Sequence, residues 1–141
     1  MQEYQYLKIC EDNPELKLER DQHGTLIIMP PTGGTSGNRN AEITYQLQAW
    51  NKQKQLGKVF DFSTAFKLPN GAFPFPDAAW ISKMRWNSLT QEQQEKFPPI
   101  APDFVIELRS SSDRLQPLPE KMQEYINNGM RLGWLIRKIV K

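Results

Sequence analysis

Residues Pro102 to Arg109, reading Pro-Asp-Phe-Val-Ile-Glu-Leu-Arg, restrict the fold of this chain more than any other stretch. Apolar and charged side chains alternate there, and successive side chains of a strand point to opposite faces. Phe104, Ile106 and Leu108 are therefore expected on a core, with Asp103, Val105, Glu107 and Arg109 on the other side. A carboxylate is thus carried on an element of core-like composition. Such a charge either keeps a sheet edge soluble or belongs to a site.

The flanking sequence supplies the remaining elements. Tyr4, Leu7 and Cys10 recur at helical spacing from Glu3 to Glu11, and Asn13-Pro14 stops that pattern. Glu15 to Arg20 and Thr25 to Met29 are extended runs joined by Asp21-Gln-His-Gly24, which reads as a β-hairpin. His23, the sole histidine, falls in that turn and has no second histidine with which to bind a metal. The glycines of Pro30 to Gly37 invite comparison with a phosphate-cradling loop, but no Gly-Lys-Ser/Thr closes the run, so it reads as a turn into a helix. That helix, Asn38 to Gln55, places Ile43, Leu47 and Trp50 on one side. Glu42 lies in its first turns, where an acid is favoured by the helix dipole.

Farther on, Lys58 to Phe60 and Ala65 to Leu68 read as short extended pieces, with a turn at Pro69-Asn-Gly71. Phe73 to Ile81 reads as a strand, with Asp77, Ala79 and Ile81 on one face and Pro76, Ala78 and Trp80 on the other. After a polar link with a short helix from Leu89 to Lys96, the chain enters the 102–109 strand. Ser110 to Asp113 reads as a turn or helix cap, and Leu118, Met122, Tyr125 and Ile126 form a helical stripe ending at Asn127-Asn-Gly129. Leu132 to Ile136 is a last strand before a basic tail.

A chain of 141 residues suits one domain spanning 1–141, and 38% hydrophobic residues can fill one core. Eighteen basic against sixteen acidic residues do not by themselves announce a nucleic-acid binder. The single Cys10 excludes an internal disulfide framework and fits a reducing, cytoplasmic setting. No apolar run approaches the roughly 20 residues of a membrane span, and the first residues lack a signal-peptide pattern, so no membrane partner is expected.

Asp77 and Glu107 on two strands, with Lys121 on the helix that follows, form the one set with an economical chemical use. Two carboxylates on neighbouring strands can hold Mg²⁺ or Mn²⁺, which binds a phosphate oxygen and lowers the pKa of water. A nearby ammonium offsets charge on phosphorus. Spacing alone leaves the alternative open, since acids and lysines are abundant and equally serve as solvating charges.

The words around these residues are more specific. Phe-Pro-Asp77-Ala-Ala-Trp80, Pro-Asp-Phe-Val-Ile-Glu107-Leu-Arg-Ser110, Lys121-Met-Gln-Glu-Tyr125 and Leu-Gly-Trp-Leu-Ile136 resemble the Uma-type restriction-endonuclease-like proteins, a branch of the PD-(D/E)XK phosphodiesterase superfamily. The likeness extends back through Pro-Pro-Thr-Gly-Gly34, Arg39-Asn40 and Phe-Lys-Leu-Pro-Asn-Gly71, and so covers nearly the whole chain. It implies an α/β (α+β) restriction-endonuclease-like core, a central mixed β-sheet flanked by helices, preceded by an N-terminal helix and hairpin. It also implies a Mg²⁺-dependent endonuclease acting on DNA, with Asp77 and Glu107 as metal ligands and Lys121 as the catalytic lysine. That lysine is displaced onto the helix from its usual place two residues after the acid.

Arg109 occupies that usual place. It can bind phosphate but cannot act as a neutral base, because its pKa exceeds about 12. Glu42 matches an acid that many superfamily members carry on the first core helix. Two departures bear on these expectations. Arg137-Lys-Ile-Val-Lys141 stands where the group continues into a further strand, so the sheet is expected to be short of its last strand, with an open edge that favours a homodimer. Phe75 stands where a small polar residue is common, and is expected to change packing at the site mouth.

Two other readings compete. A non-catalytic relative would keep the fold and bind nucleic acid through Lys67, Lys83, Arg85, Arg109 and Arg114 along the cleft. An oligomerisation domain would use its acids as edge-strand solubility devices.

Overall fold

The computed structural model describes residues 1–109 and 118–136. In chain order it contains α1 (Glu3–Asp12), β1 (Leu18–Arg20), β2 (Leu26–Ile28), α2 (Gly34–Lys54), β3 (Gly57–Phe60) and β4 (Ala78–Ser82). These are followed by α3 (Lys83–Asn87), α4 (Gln91–Glu95), β5 (Phe104–Leu108), α5 (Leu118–Asn127) and β6 (Leu132–Ile136). The turn expected at Ser110 to Asp113, Arg114 and the basic tail from Arg137 lie outside the described residues.

β3, β4, β5 and β6 form one mixed sheet in that order. β4 runs antiparallel to β3 and β5, while β6 runs parallel to β5. A parallel pair needs a crossover, and α5 lies between β5 and β6 in the chain. A helix packs on each face of the sheet. Phe104 and Ile106 of β5 pack with Ala78, Trp80 and Leu47 of α2. Val105, on the opposite face, packs with Ala79, Ile81, Met122 and Tyr125, so α5 covers that side. The second face of β5 is therefore a second core, and Glu107 is only 3% exposed within it. This corrects the expectation of a core on one side alone.

The hairpin β1–β2 is a separate two-stranded sheet. His23 serves its turn: Asp21 Oδ1 accepts from the backbone N–H groups of His23 and Thr25, and Gly24 supplies the positive φ of 84°. Tyr6 of α1 is fully buried against Leu18 and Phe73, and its hydroxyl donates to the Leu18 carbonyl at 2.7 Å. The Phe73 N–H donates to the Arg20 carbonyl at 2.7 Å, which ties the hairpin to the loop leading into β4.

Three boundaries differ from the sequence expectations. α2 begins at Gly34, because its Gly- and Ser-containing start is already helical. Ala65 to Leu68 is not a strand, although Leu68 N–H bonds to the Ala72 carbonyl across the Gly71 turn. Lys83–Asn87 is a short helix capped by the Ser82 side chain.

Candidate active site

β4 and β5 pair Ala78 with Ile106 and Ala79 with Val105, so one step further along the antiparallel register Asp77 stands opposite Glu107. Asp77 lies just before the strand, and its Oδ2 accepts the Leu108 N–H at 2.6 Å. Lys121, in the first turns of α5, is 6% exposed and directs its ammonium at the same place. Its Nζ lies 3.5 Å from Glu107 Oε1. The Tyr125 hydroxyl, one helical turn later, donates to that same oxygen at 3.3 Å. Asp77, Glu107 and Lys121 thus meet on the wall of one polar cavity of about 80 Å³.

A fourth charged residue completes the cluster and was not singled out in the sequence. Glu19 of β1 is 4% exposed, and its Oε1 lies 3.1 Å from Lys121 Nζ, closer than Glu107. The same oxygen accepts the Phe75 N–H at 3.0 Å. Nothing in the alternation of Lys17-Leu-Glu-Arg20 marks this acid, because its polar face becomes buried only through a contact across 102 residues. Lys17, two residues earlier on the same face of the chain, also lines the cavity. Its ammonium lies over the rings of Phe62 and Phe75, at 5.1 and 5.3 Å from their centroids. Phe75 therefore does shape the mouth, as one platform for that lysine.

Glu42 and Arg109 are not brought into this cluster. Residues of a helix are set about 100° apart, so Glu42 lies roughly 200° round α2 from the buried Asn40. It is exposed, and its Oε1 accepts from Gln46 Nε2 at 2.9 Å. Ser36 and Asn40 are the α2 residues that line the cavity. Arg109 follows the last paired residue of β5, its side chain is exposed, and it is held by its N–H bonding to the Ile136 carbonyl. The expected basic lining is also absent among the described residues: Lys67 pairs with Glu3, Arg85 pairs with Asp103, and Lys83 is exposed.

Burial sets the electrostatics. It pushes the Glu107 carboxyl up to about 8; Lys121 opposes this, while Asp77 and Glu19 reinforce it. Burial likewise raises Asp77, against the Leu108 N–H and the two lysines. Burial disfavours the Lys121 ammonium, but Glu107 and Glu19 outweigh it and hold the group above the ordinary lysine range. Lys17 is lowered, chiefly by burial. Without a metal, burial therefore favours a proton on the Asp77–Glu107 pair, while the carboxylates around Lys121 favour its charge.

Such a donor set fits a hard divalent cation. It consists of carboxylate oxygens without histidine or thiolate, and burial makes two adjacent negative charges costly until a cation neutralises them. Among the described residues no three of His, Cys, Asp and Glu are grouped so as to hold a metal; Asp77 and Glu107 face the cavity as two carboxylates.

No helix of the described residues is long and apolar enough to cross a membrane. No curated protein matches the chain. Among solved structures, a putative nuclease belonging to DUF820 from Anabaena variabilis is similar, with a TM-score of 0.73 and 21% identity over 87% of this chain and 67% of that one. This likeness, with the four-stranded mixed sheet flanked by helices, shows the restriction-endonuclease-like fold. The family described as Uma2, putative restriction endonuclease, matches residues 2–139, and the chain belongs to that family.

Proposed function

We propose that the chain is a Mg²⁺- or Mn²⁺-dependent endonuclease that hydrolyses DNA phosphodiester bonds. The observation that carries this is the recessed Asp77 and Glu107 pair with Lys121 held beside it, in a chain of a restriction-endonuclease family. The nuclease named in the Anabaena variabilis structure is consistent with it.

Asp77 and Glu107 would hold the cation, which when bound supplies a Lewis acid at a phosphate oxygen and lowers the pKa of water. The residues do the remainder. Glu19 and Glu107 fix Lys121 between them, so its ammonium stands ready to offset charge that develops on phosphorus. Because the carboxylates keep it protonated, Lys121 works as a donor and a charge, not as a proton acceptor. Tyr125 holds Glu107 Oε1 in place. Lys17, half-buried at the cavity mouth, is a second cation for a neighbouring phosphate. A lone cysteine suits the reducing cytoplasm, where DNA is met. The same reading includes a homodimer formed along β6, the strand that ends the sheet among the described residues.

The test is cleavage of plasmid and single-stranded DNA with Mg²⁺ or Mn²⁺. Activity in the parent and a loss of at least about a hundredfold (~2.7 kcal/mol) in Asp77→Ala and in Glu107→Ala are expected. Activity that survives both substitutions removes the proposed site. Salt-sensitive DNA retention without cleavage in any metal would instead favour the non-catalytic binder.

A further inference from the structure

Asn40 sits where the packing of α2 calls for an apolar residue. It is 6% exposed and lies two turns before the core residue Leu47, on the same side of the helix. Its Oδ1 is sealed from solvent and has no hydrogen-bond donor among the described residues. A buried acceptor left unmade costs about 1–3 kcal/mol, so the oxygen calls for a water or an ion in front of it.

The cavity that Asn40 faces narrows what that partner is. It also borders Asp77, Glu107, Lys121 and Lys17, and at about 80 Å³ it admits an ion with a few waters but no nucleotide base. Oδ1 only accepts, so its partner is a donor or a cation. Neither ammonium that borders the cavity bonds to Oδ1: Lys121 is paired with Glu19 and Glu107, and Lys17 stands over the rings of Phe62 and Phe75. The carboxylates facing the cavity favour a cation. With no third acidic, histidine or cysteine ligand among the described residues, the rest of its coordination falls to neutral oxygens. Amide carbonyl oxygens are ordinary ligands of hard divalent ions.

We propose that Asn40 Oδ1 is a third protein oxygen for the divalent cation held by Asp77 and Glu107. The inference rests on the cation site proposed above. It places a ligand on α2, on the opposite side of that helix from Glu42, and makes cation binding a tie between α2 and the β4–β5 pair.

The experiment is Mn²⁺ binding to the whole chain, followed by the electron paramagnetic resonance signal of free Mn²⁺, with thermal melting of each metal-free variant alongside. Asn40→Leu and Asn40→Ala are expected to weaken Mn²⁺ binding about tenfold or more. Their metal-free melting temperatures should stay at or above that of the parent, since an unmade acceptor has been removed. Asn40→Asp, which keeps the oxygen, should bind at least as tightly as the parent. Parent-like binding in Asn40→Leu and Asn40→Ala, with loss in Asp77→Asn, overturns the role of Asn40 and leaves the cation site standing. Equal binding by the parent and Asp77→Asn overturns the cation site and the role of Asn40 together.

Discussion

Lys121 has two carboxylates on it, Glu19 at 3.1 Å and Glu107 at 3.5 Å, in a place almost without solvent. Removing one partner of a buried pair leaves the other charge poorly compensated, at a cost of several kcal/mol. Glu107 would still face Lys121, so Glu19→Ala is expected to destabilise the protein by about 3 kcal/mol in urea unfolding, at the lower end of that range. Glu19→Gln should cost less, because its carbonyl can still accept the Phe75 N–H. Glu42→Ala, on the exposed side of α2, should stay within about 0.5 kcal/mol. If Glu19→Ala were as mild as Glu42→Ala, the ion pair would contribute nothing to the fold.

The elements carry these residues by simple geometry. A two-residue period puts Val105 and Glu107 on the α5 side of β5, and a helical turn puts Lys121 and Tyr125 together above them. Antiparallel pairing of β4 with β5 does the same for Asp77. β6 ends the sheet among the described residues, and its Leu132 and Trp134, on the α2 face, are about half exposed. An unpaired strand edge with apolar side chains is a template for another strand, and a second copy of the chain offers the same edge. Sedimentation is expected to give a dimer, and Trp134→Lys to shift it toward monomer. A parent that stays monomeric at tens of micromolar would rule out this assembly.

At the scale of the whole molecule, the buried carboxyl of Glu107 links folding to pH. Its pKa is near 4.5 when free and about 8 when folded, so across that window the folded protein holds a proton that the unfolded chain has lost. The contribution of Glu107 to stability is therefore full below about pH 4.5 and is lost as pH rises toward 8, by roughly 1 kcal/mol per unit. Asp77, also raised, acts in the same sense. Urea unfolding in EDTA at pH 5, 6.5 and 8 should show the decline, and Glu107→Gln should flatten it. Mg²⁺ at pH 8 should restore stability to the parent by binding the folded state. A profile that rises with pH would show that the pair is not buried and proton-bound as described.

The local pattern of residues was enough to identify the strand of Glu107, the helix of Lys121 and the hairpin turn at His23. Alternation, helical spacing and turn residues act over a few positions. The same alternation marked Asp77, and motif words extended the reading to the family, since they record a whole fold in short stretches. The burial of Glu19, the outward turn of Glu42 and the inward turn of Asn40 depended on how the hairpin and α2 dock against the sheet. Each is set by contacts between residues distant in the chain, and a charge or an amide looks the same in sequence whether water or a cavity lies in front of it.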